Sequence, residues 1–274
     1  MTKVTSITAL SQKLLSLKFK SEQIQILADM ADALAKAVVV NSESTDPIFG
    51  STEFHDYFSN VLLIHHATND DKFKKKAFEF AFRGACAAQG RKAVITVSQT
   101  NPGADVIVDG QRFALKTEAD ANISLRSIKI SKLMEARWIR ELSTKKDRGT
   151  IPQEKIAHHL RRYDRIVILR AFDSNTSKSG RYVRYELWEI PKHVLELTAN
   201  LKVKDFTQPT KNNSFTANVQ TLDTATAQSY KAFTLRMDGS VEKVTISNLA
   251  LKSCQHHASW TIPLDPKVEE DDTD

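Results

Sequence analysis

Apolar residues recur at three- and four-residue intervals along the first 90 residues, which is the spacing of one helical face. Two helices are predicted within residues 1–40. The second carries its apolar stripe on five residues: Ile24, Leu27, Ala31, Leu34 and Val38. A loop rich in Ser and Asp is expected over residues 41–50, and further helices are predicted over residues 54–64 and 72–89. The first third of the chain is therefore expected to be mainly helical.

Beyond Gly90 the apolar period shortens to that of a strand. The first predicted strands cover residues 93–97, 105–109 and 112–118, and the Asp-Gly pair between the last two is the sequence of a tight hairpin turn. Later apolar runs predict four more strands, over residues 165–172, 182–190, 232–237 and 240–246. A second Asp-Gly pair joins the last two, so a β-hairpin is expected near the C-terminus.

Helical spacing returns between these strands. It predicts a helix over residues 130–142, a short helix over residues 153–161 and another that starts at Pro191, with a polar loop over residues 143–152. Helices that precede and follow strands predict an α/β fold with a mixed central sheet flanked by helices.

Composition restricts the class of protein without identifying it. The chain has 274 residues, of which 41% are hydrophobic and 26% charged, as in ordinary globular proteins. Its apolar runs are too short for a membrane span, and its N-terminus lacks the continuous apolar stretch of a signal peptide. Two cysteines form no disulfide framework and no zinc motif, so a reducing, cytoplasmic location is expected.

Charge is distributed unevenly along the chain. Residues 126–184 contain 16 Lys and Arg against six acids, whereas the last ten residues contain six acids and one Lys. A basic stretch of this density favours a polyanionic partner, because lysines and arginines release counterions from phosphates. A solvated surface would have the same composition. We expect residues 1–262 to form one domain, with a helical part (1–50), a core (72–200) and a C-terminal β part (201–262), and residues 263–274 to form an acidic, disordered tail.

The strongest candidate chemistry lies in the predicted hairpin around residues 105–118. Asp105 follows a Pro-Gly turn at the start of one strand, and Lys116 lies among apolar neighbours on the returning strand. Alternate residues of a strand share a face, so Lys116 and Glu118 are expected to point the same way. Two carboxylates can hold Mg²⁺, and a lysine ammonium can orient a water and stabilise the transition state of phosphodiester hydrolysis. A plain hairpin with an edge lysine has the same pattern.

The hairpin resembles the core of PD-(D/E)XK nucleases, and more closely the SmaI family of type II restriction endonucleases. That family has an Asn-Pro-Gly-X-Asp stretch and an Ala-Leu-Lys-Thr-Glu-Ala stretch at the separation found here, over residues 101–105 and 114–119. Asn-Ile-Ser at 122–124 and Ser-Lys-X-Met-Glu at 131–135 continue the likeness. The resemblance covers most of residues 55–262. It implies a restriction-endonuclease-like core and a Mg²⁺-dependent enzyme that cuts double-stranded DNA.

One residue departs from the nuclease pattern. The general core has an acid two residues before the lysine, where this chain has Ala114. Another oxygen ligand must then join Asp105, and backbone carbonyls of the strand that carries Lys116 are one source of it. Glu118 and Glu79 are equally ranked candidates, and Glu135, expected to pair with Lys132 on a helix, ranks lower. The predicted catalytic residues are therefore Asp105, Lys116, Glu118 and Glu79.

DNA contacts are expected just after the catalytic strand, at Arg126, Lys129 and Lys132. Their position keeps them near the scissile phosphate, and Arg or Lys can pair with guanine in the major groove. The resemblance further implies a short GC-rich palindrome, with CCCGGG as the candidate, and a homodimer that supplies one active site per strand. Three alternatives stay open: a MutH-like nicking enzyme, a DNA-binding protein with an inactive core, and an RNA-binding module.

Overall fold

A computed structural model describes residues 6–96, 103–176, 180–223 and 225–264. The residues before Gly103 in the predicted Asn-Pro-Gly turn, and residues 265–274 of the predicted tail, lie outside the described ranges. The helices are α1 (Ile7–Ser16), α2 (Ser21–Leu34), α3 (Thr52–Thr68), α4 (Lys75–Ala88), α5 (Lys145–Leu160) and α6 (Lys192–Glu196). The first strands are β1 (Val39–Asn41), β2 (Ala93–Ile95), β3 (Val106–Val108), β4 (Gln111–Glu118) and β5 (Ser127–Glu135). The later strands are β6 (Arg165–Thr176), β7 (Gly180–Glu189), β8 (Phe215–Leu222), β9 (Ser229–Asp238), β10 (Lys243–Ala250) and β11 (Gln255–Pro263).

The described strands form two sheets. The first has seven strands in the order β1-β11-β7-β6-β4-β3-β2 and the second has four in the order β5-β10-β9-β8. In the first sheet β4 and β6 are parallel and the other neighbours antiparallel, so the sheet is mixed. The predicted α/β class with a mixed central sheet is confirmed.

Each face of the seven-stranded sheet packs on a separate hydrophobic core. Phe113 and Leu115 of β4 point to the core that contains α3 and α4, whereas Ala114 points to the core that contains α5, α6 and the four-stranded sheet. β6 alternates in the same way, because Val167 and Ile168 belong to different cores. Its continuous apolar run is thus the pattern of a strand buried on both faces.

Most of the predicted helices and strands are confirmed, including the tight hairpin that joins β3 to β4. Asp109 and Gly110 form its turn with φ of 49° and 86°. A two-residue turn of type I′ needs positive φ at both central positions, which Asp-Gly tolerates. This turn fixes the register in which Val106 faces Phe113.

The prediction of a helix over residues 130–142 was wrong. Strand β5 occupies the first part of this segment, and a short 3₁₀ helix, Arg137–Glu141, the second. The pairing of β5 with β10 shifts register between Ile130 and Met134, which marks a bulge. A bulge inserts an extra residue and displaces the alternation. Ile130 and Leu133 are therefore both buried at a three-residue spacing that imitates a helix.

The polar loop predicted over residues 143–152 is also incorrect, because α5 begins at Lys145. Thr144 and Asp147 exchange side chain-to-backbone hydrogen bonds in a capping box, which stabilises the start of this polar helix. Strands β5 and β11 were not predicted from the sequence: β5 joins the four-stranded sheet, and β11 lies between β1 and β7. No described helix has both the length and the apolar character that a bilayer span requires.

Candidate active site

The hairpin β3–β4 fixes Asp105 against the strand that carries Lys116. The backbone N–H of Asp105 donates to the carbonyl of Phe113 at 2.7 Å, which pairs the residue with β4. Its Oδ2 then accepts from the backbone N–H of Leu115 at 2.7 Å. One carboxylate oxygen is therefore anchored beside Lys116 and the other, Oδ1, is left for a cation.

Lys116 is a partly buried ammonium on the face of β4 that points toward the second core. Burial lowers the pKa of Lys116 from 10.5 to about 8, because a charged group loses hydration there. Asp105 opposes this shift, while Lys75 and Lys132 add to it. The structure thus brings Asp105 and Lys116 into one electrostatic cluster, as the sequence predicts.

Glu79 reaches the same cluster from α4. It is 7% exposed, so it is no solvated helix residue. Nζ of Lys75 lies 2.8 Å from Oδ1 of Asp105 and 3.6 Å from Oε1 of Glu79. Nζ of Lys76 lies 2.8 Å from the other oxygen, Oε2. The carboxylates of Asp105 and Glu79 therefore share one lysine ammonium.

Glu118 lies in different surroundings. Its Oε1 accepts from the backbone N–H of Lys129 at 3.0 Å, and its Oε2 accepts from Nε of Arg170 at 2.7 Å. Burial raises the pKa of Glu118, an effect that Arg170 opposes. Arg170 is fully buried and also donates to the carbonyls of Ser124 and Ser127, so it ties the segment before β5 to β6. Both oxygens of Glu118 are committed to the protein itself.

The predicted DNA-binding residues lie at the start of β5 and along it, so Lys132 is on a strand and not on the predicted helix. Arg126, Lys129 and Lys132 are all exposed. Nζ of Lys129 lies 3.6 Å from Asp120. Lys132 pairs with Glu135 at 2.6 Å, so the expected partnership forms across a strand bulge. Lys132 also lowers the pKa of Lys116, so the part of β5 around Lys132 lies beside the cluster.

Sequence reasoning missed three residues around the cluster: Lys75, His159 and Tyr163. The signal for Lys75 was the Lys74–Lys76 run at a helix start, where positive charge opposes the helix dipole. Burial, followed by Lys116, lowers the pKa of His159 to about 4, so its imidazole is neutral. Burial, followed by Asp105, raises the pKa of Tyr163. The rings of His159 and Tyr163 lie 5.3 Å apart, and no sequence pattern distinguishes them from core residues.

The cluster offers two carboxylates to a cation. Within the described residues no group of three or more His, Cys, Asp or Glu side chains could hold a metal ion. Mg²⁺, however, commonly binds through one or two carboxylates and completes its shell with water and substrate phosphates. Asp105 and Glu79 already converge on one ammonium, so the residues present fit such an ion. Ala114 is buried in the second core and contributes no ligand.

Comparison with known proteins gives an independent result. The family model for SmaI, a type II site-specific deoxyribonuclease, matches residues 11–262. The type II restriction enzyme SmaI of Serratia marcescens is 34% identical over 218 residues, which cover 78% of this chain and 81% of the relative. A solved restriction endonuclease in complex with substrate DNA covers 74% of this chain and 78% of its own, at 12% identity. Its TM-score of 0.34 is too low to carry an argument.

The mixed sheet presents clustered carboxylates beside a lysine, and the family model and the related restriction enzyme match most of the chain. Together they define the class of protein: the chain is an endonuclease that acts on DNA. More specifically, it belongs to the SmaI family of type II site-specific deoxyribonucleases.

Proposed function

We propose that this endonuclease is a Mg²⁺-dependent restriction enzyme that cuts both strands of a short GC-rich palindrome, with CCCGGG as the candidate site. The similarity to a type II restriction enzyme supports the restriction activity. The observation that carries the metal assignment is the shared contact of Asp105 and Glu79 with one cation beside Lys116. We propose a cytoplasmic location, where such an enzyme meets foreign DNA.

In this proposal Asp105 and Glu79 hold the ion, and Glu118 does not. Bound Mg²⁺ would polarise the scissile phosphate and lower the pKa of a water. The backbone N–H of Leu115 keeps the Asp105 carboxylate in place, since it occupies Oδ2. Lys116 orients the attacking water and stabilises the charge that develops on the phosphorane-like transition state. Arg126, Lys129 and Lys132 hold the duplex along β5.

A matched pair of variants tests this assignment. Glu79→Gln and Glu118→Gln each remove one buried carboxylate charge and keep the side-chain shape. We expect Glu79→Gln to lose Mg²⁺-dependent cleavage of plasmid DNA while it keeps its fold, and Glu118→Gln to retain cleavage at temperatures where it stays folded. Wild-type cleavage by Glu79→Gln would overturn the metal assignment. Sequencing the product ends identifies the palindrome, and linear against nicked product separates double-strand cutting from nicking.

We propose that the enzyme acts as a homodimer that pairs through α1 and α2. The apolar stripe Ile24, Leu27, Ala31 and Leu34 is exposed, because α2 packs on the protein through its opposite side at Ala33. The segment of α1 and the turn after it is basic, because it carries Lys13, Lys18 and Lys20. The charges of α2 are all acidic: Glu22, Asp29 and Asp32. A two-fold pairing that sets α1 against the partner's α2 would match these charges and cover the stripe.

Sedimentation of the wild type and of Ile24→Glu/Leu27→Glu tests this surface. We expect a dimeric wild type and a monomeric double variant with an unchanged circular dichroism spectrum. A double variant that stays dimeric would rule out this interface.

A further inference from the structure

Lys75 lies where a divalent ion would have to bind. Its Nζ is 2.8 Å from Asp105 and 3.6 Å from Glu79, the two residues proposed above to hold Mg²⁺. We propose that Lys75 is a resident cation: it neutralises the two carboxylates in the free protein and is displaced from them when the metal ion and DNA bind. This inference rests on the proposed function of Asp105 and Glu79.

The three side chains differ in their freedom to move. The side chains of Asp105 and Glu79 are 17% and 9% exposed, whereas the side chain of Lys75 is 46% exposed. Asp105 is also bonded to the backbone of Leu115, and Glu79 to Lys76. Lys75 can therefore leave through rotation of a flexible, half-exposed chain, while the two carboxylates stay in position. Without any cation their negative charges would repel each other.

A displaced Lys75 has an anionic partner available when DNA is bound. It belongs to the run Lys74–Lys76 at the start of α4, where the helix dipole disfavours lysine and favours a phosphate. Lys74 pairs with Asp71 and Lys76 with Glu79, so only Lys75 of these three contacts both carboxylates of the cluster. Exchange of Lys75 from carboxylate to phosphate conserves its ion pairing.

This arrangement couples metal binding to DNA binding. In the free protein an incoming ion must break the contacts of Lys75, and this requirement weakens the affinity of the protein for the ion. When a phosphate accepts the ammonium, that cost falls, so DNA should tighten metal binding, and by linkage the metal should tighten DNA binding by the same factor. The protein would then keep a low metal occupancy until a duplex is in place.

Calorimetric titration with MgCl₂ tests the proposal in the full-length protein without DNA. Lys75→Gln is compared with Lys74→Gln. The control removes the same charge at the neighbouring position, where the side chain contacts neither carboxylate. We expect Lys75→Gln to bind Mg²⁺ about 5–10-fold more tightly than the wild type and Lys74→Gln to stay within about twofold. Ca²⁺ is then titrated into the protein alone and into its complex with a CCCGGG duplex, which a gel shows to be intact. DNA should tighten Ca²⁺ binding by a smaller factor in Lys75→Gln than in the wild type.

The outcomes separate this proposal from the proposed function. Asp105→Asn identifies the heat that belongs to this site, and circular dichroism checks the fold of each variant. If the wild type binds Mg²⁺ at Asp105 but Lys75→Gln binds it no more tightly than Lys74→Gln, the role of Lys75 is overturned and the metal site stands. If no variant binds a divalent ion with or without duplex, the metal assignment fails and this proposal fails with it.

Discussion

Lys116 and Glu118 are two residues apart on β4, yet Lys116 lies in a cluster whose lysine cations reach solvent, whereas Glu118 pairs with a buried arginine. Around Lys116 the carboxylates of Asp105 and Glu79 are held by lysine side chains that reach solvent. Glu118 is held by Arg170, whose side chain is fully buried and also donates to two backbone carbonyls. The difference lies in the partner cation, since both regions contain carboxylates of low exposure.

This contrast supports the proposal that Glu79, and not Glu118, joins Asp105 in the metal site. A flexible ammonium on a half-exposed chain can be exchanged for another cation with little change elsewhere. A buried guanidinium with several fixed partners cannot leave without exposing uncompensated charge in the core. Glu118 connects β4, β5 and β6 through its contacts with Lys129 and Arg170, whereas both carboxylate oxygens of Glu79 contact lysines that reach solvent.

The largest expected effect concerns the chemistry of the cluster. Lys116→Ala should lower the cleavage rate by about 10²–10³-fold, because its ammonium acts where charge develops in the transition state. Binding of a CCCGGG duplex, measured by fluorescence anisotropy in Ca²⁺, should change little. Unreduced cleavage would remove Lys116 from the mechanism.

The next effect concerns the buried ion pair of Glu118 and Arg170. Glu118→Gln should lower the free energy of unfolding by about 3 kcal/mol, because Arg170 is left buried without its main counter-charge. Urea denaturation measures the loss, with Glu79→Gln as the control, for which we expect a change below about 1 kcal/mol. Equal losses in both variants would contradict the contrast between the two regions.

A smaller effect of opposite sign is expected for Lys116→Met. The folded pKa of Lys116, about 8, lies below its ordinary value of 10.5, so the charged lysine destabilises the fold at neutral pH. The variant should gain about 1–3 kcal/mol at pH 7.

The pH dependence gives the check on that gain. Between pH 8 and 10.5 the unfolded chain binds more protons at Lys116 than the folded one, so wild-type stability rises with pH. The advantage of Lys116→Met should therefore shrink through this window. Urea denaturation of both proteins at pH 7, 9 and 10 measures the difference in their free energies of unfolding. A difference that stays constant would show that burial of Lys116 does not destabilise the folded protein.

The smallest effect distinguishes two lysines of β5. Lys129 contacts Glu118 through its backbone, whereas Lys132 lies near Lys116. Lys129→Ala and Lys132→Ala should each reduce the log–log salt slope of DNA binding by about 0.9 if each contacts one phosphate. Only Lys132→Ala should also change the cleavage rate at saturating DNA. Unchanged slopes in both would place the duplex elsewhere.

Local patterns predicted much of the molecule, and their failures have a physical cause. The Asp109-Gly110 turn and the alternation in β4 depend on neighbours in sequence, so the hairpin that presents Asp105 and Lys116 was predictable. The bulge in β5 arises from its pairing with β10, more than 100 residues later, and it imitated a helical period. Pattern reading cannot separate these when the pairing partner is remote.

The sequence by itself determined the class of fold, the Asp–Lys hairpin and the likeness to SmaI-type nucleases, because these reside in short-range pattern and residue identity. The different surroundings of Glu79 and Glu118 were decided only by the tertiary structure. Both are glutamates near an apolar element, and their long-range contacts separate them. Packing places Lys75, the i,i+4 neighbour of Glu79, against Asp105, and it places Arg170 of β6 against Glu118, 52 residues earlier. Charge partners across such distances follow from how the sheet and helices pack, since no local rule specifies them.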